Sequence, residues 1–217
     1  MEVIPAIIPK SYEDLRQKIS LVKDFSHFVQ IDITDGIFVS STSWPYSDSV
    51  WSEGIFLDMP FCNECNFEFD LMIQDPEKTI NDWIMEGASK IVVHVESTDN
   101  LELLIAELKE KKIEVGLAFN IETPFDLYSH LLDKADFIQL MGIEKIGFQG
   151  QAFSEKIFEK IADLRKRKPD VIMSVDGGVN LENAKRLKEA GVNRVAVGSA
   201  VFGSKDIKET IEQFKKI

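Results

Sequence analysis

The chain has 217 residues, 44% of them hydrophobic, and a formal net charge of -12. That length and apolar content suffice for one sizeable core, so a single domain over residues 1–217 is expected. An acidic surface without a basic block excludes nucleic acid and anionic membrane as partners, and no run approaches the roughly 20 apolar residues that cross a bilayer.

The opening segment "MEVIPAIIPK" lacks a basic stretch followed by a long apolar one, which predicts a cytoplasmic protein. Within it "VIPAII" reads as a first strand, and "FVQIDI" reads as a second. In that second strand Val29, Ile31 and Ile33 share one face, while Gln30, Asp32 and Thr34 share the other. A strand buried on both faces is ordinarily apolar throughout, so the polar face needs a space to point into. Residues 34–58, "TDGIFVSSTSWPYSDSVWSEGIFLD", form the longest irregular stretch, and their serines and aromatics predict a functional loop. Trp44, Tyr46 and Trp51 are expected to be exposed there, covering an interface or closing a pocket. Cys62 and Cys65 in "PFCNECNF" have no second Cys or His pair at zinc spacing and precede a strand, so they are read as ordinary reduced thiols.

The third strand, "FEFDLMI", turns Glu68, Asp70 and Met72 to the polar side. The same alternation directs His94 and Glu96 inward from "KIVVHV", Gln139 and Met141 from "DFIQLM", and Ser174 and Asp176 from "DVIMSV". With "IEVGLAF" and "RVAVGS" the runs number eight, each expected to be followed by a helix such as "NLELLIAELKEKK" or "NLENAKRLKEAG". Strand and helix alternating in this way define an α/β fold with a parallel sheet. Eight units in this length fit a closed (β/α)8 TIM barrel. An open doubly wound sheet would usually carry a glycine-rich fingerprint after its first strand, and "IIPKSYEDL" has none.

A barrel of this type carries its chemistry at the carboxyl ends of the strands. A ring of carboxylates there is costly to desolvate unless charge, metal or substrate compensates. The turns "SVDGGVN" and "VGSAVFG" add a second signal. Gly177, Gly178, Gly198 and Ser199 allow backbone N–H groups to approach an oxygen-rich ligand, and barrels often hold phosphate after strands seven and eight at a helix amino terminus. A phosphorylated small molecule is therefore the expected ligand.

Over nearly its whole length the chain resembles the ribulose-phosphate 3-epimerase family. The resemblance rests on "QIDITDGIFV", "FDLMIQDPEKTINDWIMEGASKIVVHVES", "GLAFNIETPFD", "GFQGQAF", "VDGGVN" and "VGSAVF" in that order. It implies a barrel of the ribulose-phosphate-binding type, a homo-oligomer, and interconversion of D-ribulose 5-phosphate and D-xylulose 5-phosphate. Asp32 and Asp176 would be the catalytic pair, exchanging protons on opposite faces of C3 through an enediolate. Phosphate would lie against Gly147, Gly150, Gly177, Gly178, Gly198 and Ser199, and the sugar against Thr34, Met72, His94 and Met141.

The family holds a metal with two aspartates and two histidines, but this chain has Gln30 and Asp70 at the histidine positions. The implied ligand set is Gln30, Asp32, Asp70 and Asp176. Its oxygen-only donors suit Mn or Mg better than Zn. Without a cation, one or more of the carboxylates must be protonated. Other departures are Ala6 for a serine, Thr34 for a methionine, Gln149 for a loop glycine, and Glu144, Lys145 and Ile146 for an Asn-Pro-Gly segment. They leave open a different ketose phosphate, such as allulose 6-phosphate, or an inactive phosphosugar-binding protein. Retention of both opposed carboxylates argues for chemistry, since a pure binder gains nothing from them beside an anionic ligand. Related barrels, the hexulose-phosphate synthases and nucleotide decarboxylases, carry an Asp-x-Lys pair on a strand, which "IDITDG" and "FDLMI" lack.

Overall fold

All eight apolar runs are strands in the computed structural model, which describes residues 1–49 and 57–217. They are β1 (Glu2–Ile7), β2 (Phe28–Thr34), β3 (Asn66–Met72), β4 (Ala88–His94), β5 (Glu114–Phe119), β6 (Phe137–Met141), β7 (Ile172–Asp176) and β8 (Arg194–Val197). Each pairs in parallel with the next, and β8 returns to β1 with Val195 beside Val3, which closes the barrel. The helices are α1 (Tyr12–Val22), α2 (Ile80–Met85), α3 (Leu101–Glu110), α4 (Ile157–Arg167), α5 (Leu181–Glu189), α6 (Ser199–Phe202) and α7 (Ile207–Lys215). Local chemistry starts several of them. The Ser11 side chain accepts from the Asp14 N–H to cap α1, and Asn180 and Asn183 form a reciprocal capping box on α5.

The expectation of a helix after every strand fails after β5, and after β2 it falls partly on residues outside the described ones. After β2 the described residues form only turns and one antiparallel bridge between Asp35 and Thr42. That stretch is rich in serine and contains Pro45, and it has no apolar stripe at helical spacing. After β5 there is only a 3-10 turn, Phe125–Tyr128, which begins directly behind Pro124. The first loop is fixed instead by side chains. Asp35 accepts from the N–H groups of Ile37 and Phe38 through one oxygen and from that of Gln74 through the other. Two of its aromatics are also less exposed than expected. Trp44 is buried edge-on to Tyr12, and Tyr46 packs half-buried against Trp83, because both are drawn into the apolar layer outside the sheet. Trp51 lies outside the described residues.

The outward strand faces form that layer with the helices, Val29, Ile31 and Ile33 joining Leu15, Ile19 and Val22 in one cluster. Inside the barrel Val92, Ala118 and Phe137 form a small apolar cluster. Phe137 occupies the space left by Gly116, where a side-chain carbon would lie 2.4 Å from the ring. Ala6, Met72, Met141 and Ala196 add apolar atoms near the strand ends, and much of the rest of the interior is polar and buried. At its lower end Arg194 binds Glu68, lies 3.2 Å from the Glu2 carboxylate, and stacks 4.2 Å over Phe137. Burial pushes the Glu68 carboxyl up, and Arg194 holds it back.

Lys160 replaces a missing element. From α4 it donates to the carbonyls of Asn120 (2.5 Å), Ile121 (3.2 Å) and Thr123 (2.6 Å), which anchors the loop after β5. Burial pushes its ammonium down to about 8, against the pull of Glu96, Glu122 and Asp163. Lys160→Met removes all three donors and leaves the carbonyls unpaired. We expect a loss of about 2–3 kcal/mol, read as a thermal midpoint lower by roughly 4–12 °C.

Candidate active site

Register carries the polar faces of the strands to one place. Asp32 pairs with Asp70 across β2 and β3, and Met141 with Asp176 across β6 and β7, all within two residues of their strand ends. One carboxylate oxygen from each of Asp32, Asp70 and Asp176 lies within 4.8 Å of the others. The Gln30 amide nitrogen bridges two of them, donating to Asp32 at 2.7 Å and Asp176 at 2.9 Å. Asp70 is held from the other side by the Gln139 amide at 2.9 Å and His94 Nε2 at 3.2 Å.

Such a cluster cannot be fully ionised without compensation. Burial raises the Asp32 carboxyl well above the usual range, and the charges of Asp176 and Asp70 add to it. Asp176 is raised to about 7, first by burial and then by Asp70, while Gln30 and the Gly177 N–H pull it back. For His94, burial works against the imidazolium, but the neighbouring Asp70 outweighs it and the net shift is upward.

One cavity opens over this cluster, and Asp32 and Asp176 both line it. Met72 and Met141 flank them, and Gly147, Gly150, Gly177 and Gly178 are on the wall beyond, with Gly198 and Ser199. Gly178 has φ +68°, and a side-chain carbon there would meet the Phe153 backbone at 2.8 Å, so the wall requires glycine at that point. The other predicted residues lie beneath. Gln30, Asp70, Thr34 and His94 are fully buried and do not line the cavity. Thr34 is sealed by Ser43, whose hydroxyl accepts from the Thr34 N–H, and His94 is covered by the Phe38 ring at 5.5 Å. Glu96 lies beyond the end of β4, so strand alternation does not govern it; its carboxylate accepts from the Asn120 N–H. Lys10 is exposed and away from the cavity.

Two features were not assigned roles by sequence reasoning. Gln139 is a polar residue on a buried strand, a visible signal, but its partner Asp70 is 69 positions away. The loops after β2 and β6 meet over the mouth, where the Ser41 hydroxyl donates to the Gly147 carbonyl at 2.6 Å. Nothing local in "FVSSTS" marks Ser41 apart from its neighbours.

A closed parallel barrel with buried acids opening onto a small-residue wall defines a barrel enzyme with its site at the strand carboxyl ends. The chain belongs to the ribulose-phosphate 3-epimerase family, whose profile matches residues 2–202, and it is an isomerase. It is 32% identical to the ribulose-phosphate 3-epimerase of Bacillus subtilis over 99% of this chain and 98% of that one. It is 33% identical to the chloroplastic ribulose-5-phosphate-3-epimerase of Arabidopsis thaliana, over 98% of this chain and 75% of that one. Among solved structures, a 3-hexulose-6-phosphate synthase superposes with a TM-score of 0.68 at 15% identity, covering 100% of this chain and 99% of that one. A tryptophan synthase A-subunit from Pyrococcus furiosus gives 0.70 at 14%, covering 100% and 98%. At such identities the likeness concerns the fold. Among the described residues no helix is long and apolar enough to cross a membrane.

Proposed function

We propose that this enzyme interconverts D-ribulose 5-phosphate and D-xylulose 5-phosphate, with Asp32 and Asp176 as the proton-exchanging pair. One observation carries the reading: of the three clustered acids, Asp32 and Asp176 line the cavity and Asp70 does not. One carboxylate removes the C3 proton, the electron pair of that bond forms the C2–C3 double bond, and the carbonyl π pair moves onto the C2 oxygen. The other, protonated, returns a proton to the opposite face, inverting C3. This exchange needs a pair that shares a proton near neutral pH. The raised Asp32 and an Asp176 near 7 support that state. Gln30, which donates to both, orients them toward the same ligand. The opposed pair gives no support to an inactive phosphosugar binder.

The donor set also fits a hard divalent cation. Three buried carboxylates converge, and the Gln30 side-chain oxygen is buried without a partner. Rotating that amide half a turn exchanges its donor for this oxygen, so Gln30, Asp32, Asp70 and Asp176 would hold Mn or Mg in preference to Zn. When bound, the cation supplies positive charge to the oxygen that becomes negative as the C3 proton leaves. The deciding experiment is NMR detection of C3 proton exchange of ribulose 5-phosphate in deuterated water. Protein stripped of metal and then given Mn or Mg is expected to exchange and to form xylulose 5-phosphate, with Zn the poorer activator. Absence of exchange under all three overturns the assignment of this substrate.

A further inference from the structure

We infer that Gln149 is a specificity-determining residue that reads the phosphoryl end of the substrate, an inference that rests on the sugar-phosphate reading above. The loop after β6 carries Gln149 across to the ends of β1 and β8, 143 positions from its partner. There its amide nitrogen donates to the Ala6 carbonyl at 3.3 Å, and a side-chain carbon added at Gly198 would lie 2.9 Å from it. The amide therefore sits on the small-residue wall of the cavity.

That wall has an unusual donor inventory for an anion. Among the described residues that line the cavity there is no lysine or arginine, and the side-chain donors are Gln149, Gln151 and Ser199. A phosphoryl group there must be held by neutral donors, chiefly backbone N–H groups. An amide nitrogen carries two hydrogens. One of Gln149's is engaged by Ala6, and the second is available to a phosphoryl oxygen without breaking that contact. Gly198 is the residue that makes room for it, since any larger side chain would displace the amide. Ala6 likewise offers only its carbonyl. The arrangement favours a terminal phosphate over a neutral hydroxymethyl end, because an anion gains more from a donor at a wall that carries no lysine or arginine.

The test uses Gln149→Glu, which keeps the shape but places a carboxylate against the anion, and Gln149→Ala, which removes the donor. Inorganic phosphate is titrated into each protein by calorimetry, and KM and kcat for ribulose 5-phosphate are measured in parallel. We expect phosphate affinity to fall about tenfold in the Ala protein and roughly 100-fold in the Glu protein, with KM rising in the same order. Equal phosphate affinity in wild type and Gln149→Glu overturns the inference, as does a wild type that takes up no phosphate at millimolar concentration. A wild type that binds phosphate in a Gln149-dependent way but exchanges no C3 proton supports Gln149 and removes the epimerase reading alone. Because Gln149 is in an exposed loop, unchanged melting of both variants is the expected control.

Discussion

Asp176→Asn is expected to slow C3 proton exchange by about 10³-fold or more and, in the absence of metal, to melt higher than the wild type. The first effect follows from removing one of the two groups that must give or take the proton. The second follows from linkage. Folding raises the Asp176 carboxyl to about 7, so the folded protein binds a proton that the unfolded chain has already released. The associated stability is fully present below the ordinary carboxylate range and is lost as pH rises through about 7. An asparagine does not titrate, and it also removes the charge that raises Asp32. At neutral pH the relief is on the order of 2 kcal/mol, or roughly 4–8 °C. Thermal melts of both proteins in chelator from pH 4 to 8 check this. The wild-type midpoint should fall across that range while the variant changes less. A variant that melts lower at neutral pH removes the claim of strain, and unchanged exchange removes Asp176 from the mechanism.

Arg194→Met is expected to cost about 3–5 kcal/mol without reaching the site chemistry directly. Arg194 is 2% exposed, and its removal leaves the fully buried Glu68 carboxylate without its charge partner. It also removes the stacking on Phe137. The double variant Glu68→Leu with Arg194→Met eliminates both charges and should recover most of the loss, since apolar replacement of a buried pair is commonly near neutral. Urea midpoints of the single and double variants decide it. A double variant as unstable as the single one would show that packing, rather than the stranded charge, sets the cost.

The sequence signals that succeeded were the ones set by a single element. In β2 the period of two separates Val29, Ile31 and Ile33 from Gln30, Asp32 and Thr34, and the structure buries the first set outside the sheet and the second inside. The paired glycines at 177 and 178 were legible because their backbone has positive φ. What escaped was set by closure of the barrel. That Gln139 and His94 grip Asp70, or that Arg194 meets Glu68 126 positions away, depends on which strands become neighbours across the interior. The helix expected after β5 failed for a different reason: that segment has no continuous apolar stripe, and Lys160 does the fastening instead. Trp44 and Tyr46 looked like surface aromatics because their cover, Tyr12 and Trp83, comes from distant segments.

The stitch between Ser41 and Gly147 is asymmetric in what a substitution can change. One end is a peptide carbonyl, which no substitution can delete, and the other is a single hydroxyl. The hydroxyl is the polar half of the seam, and Val39 packs beside the same glycine. Ser41→Thr keeps the hydroxyl and adds bulk, and Ser41→Ala releases the seam while the acids beneath stay untouched. The hydroxyl of Ser41 thus ties two loops at the cavity wall without touching the acids, so the firmness of the seam and the proton chemistry are set by different residues.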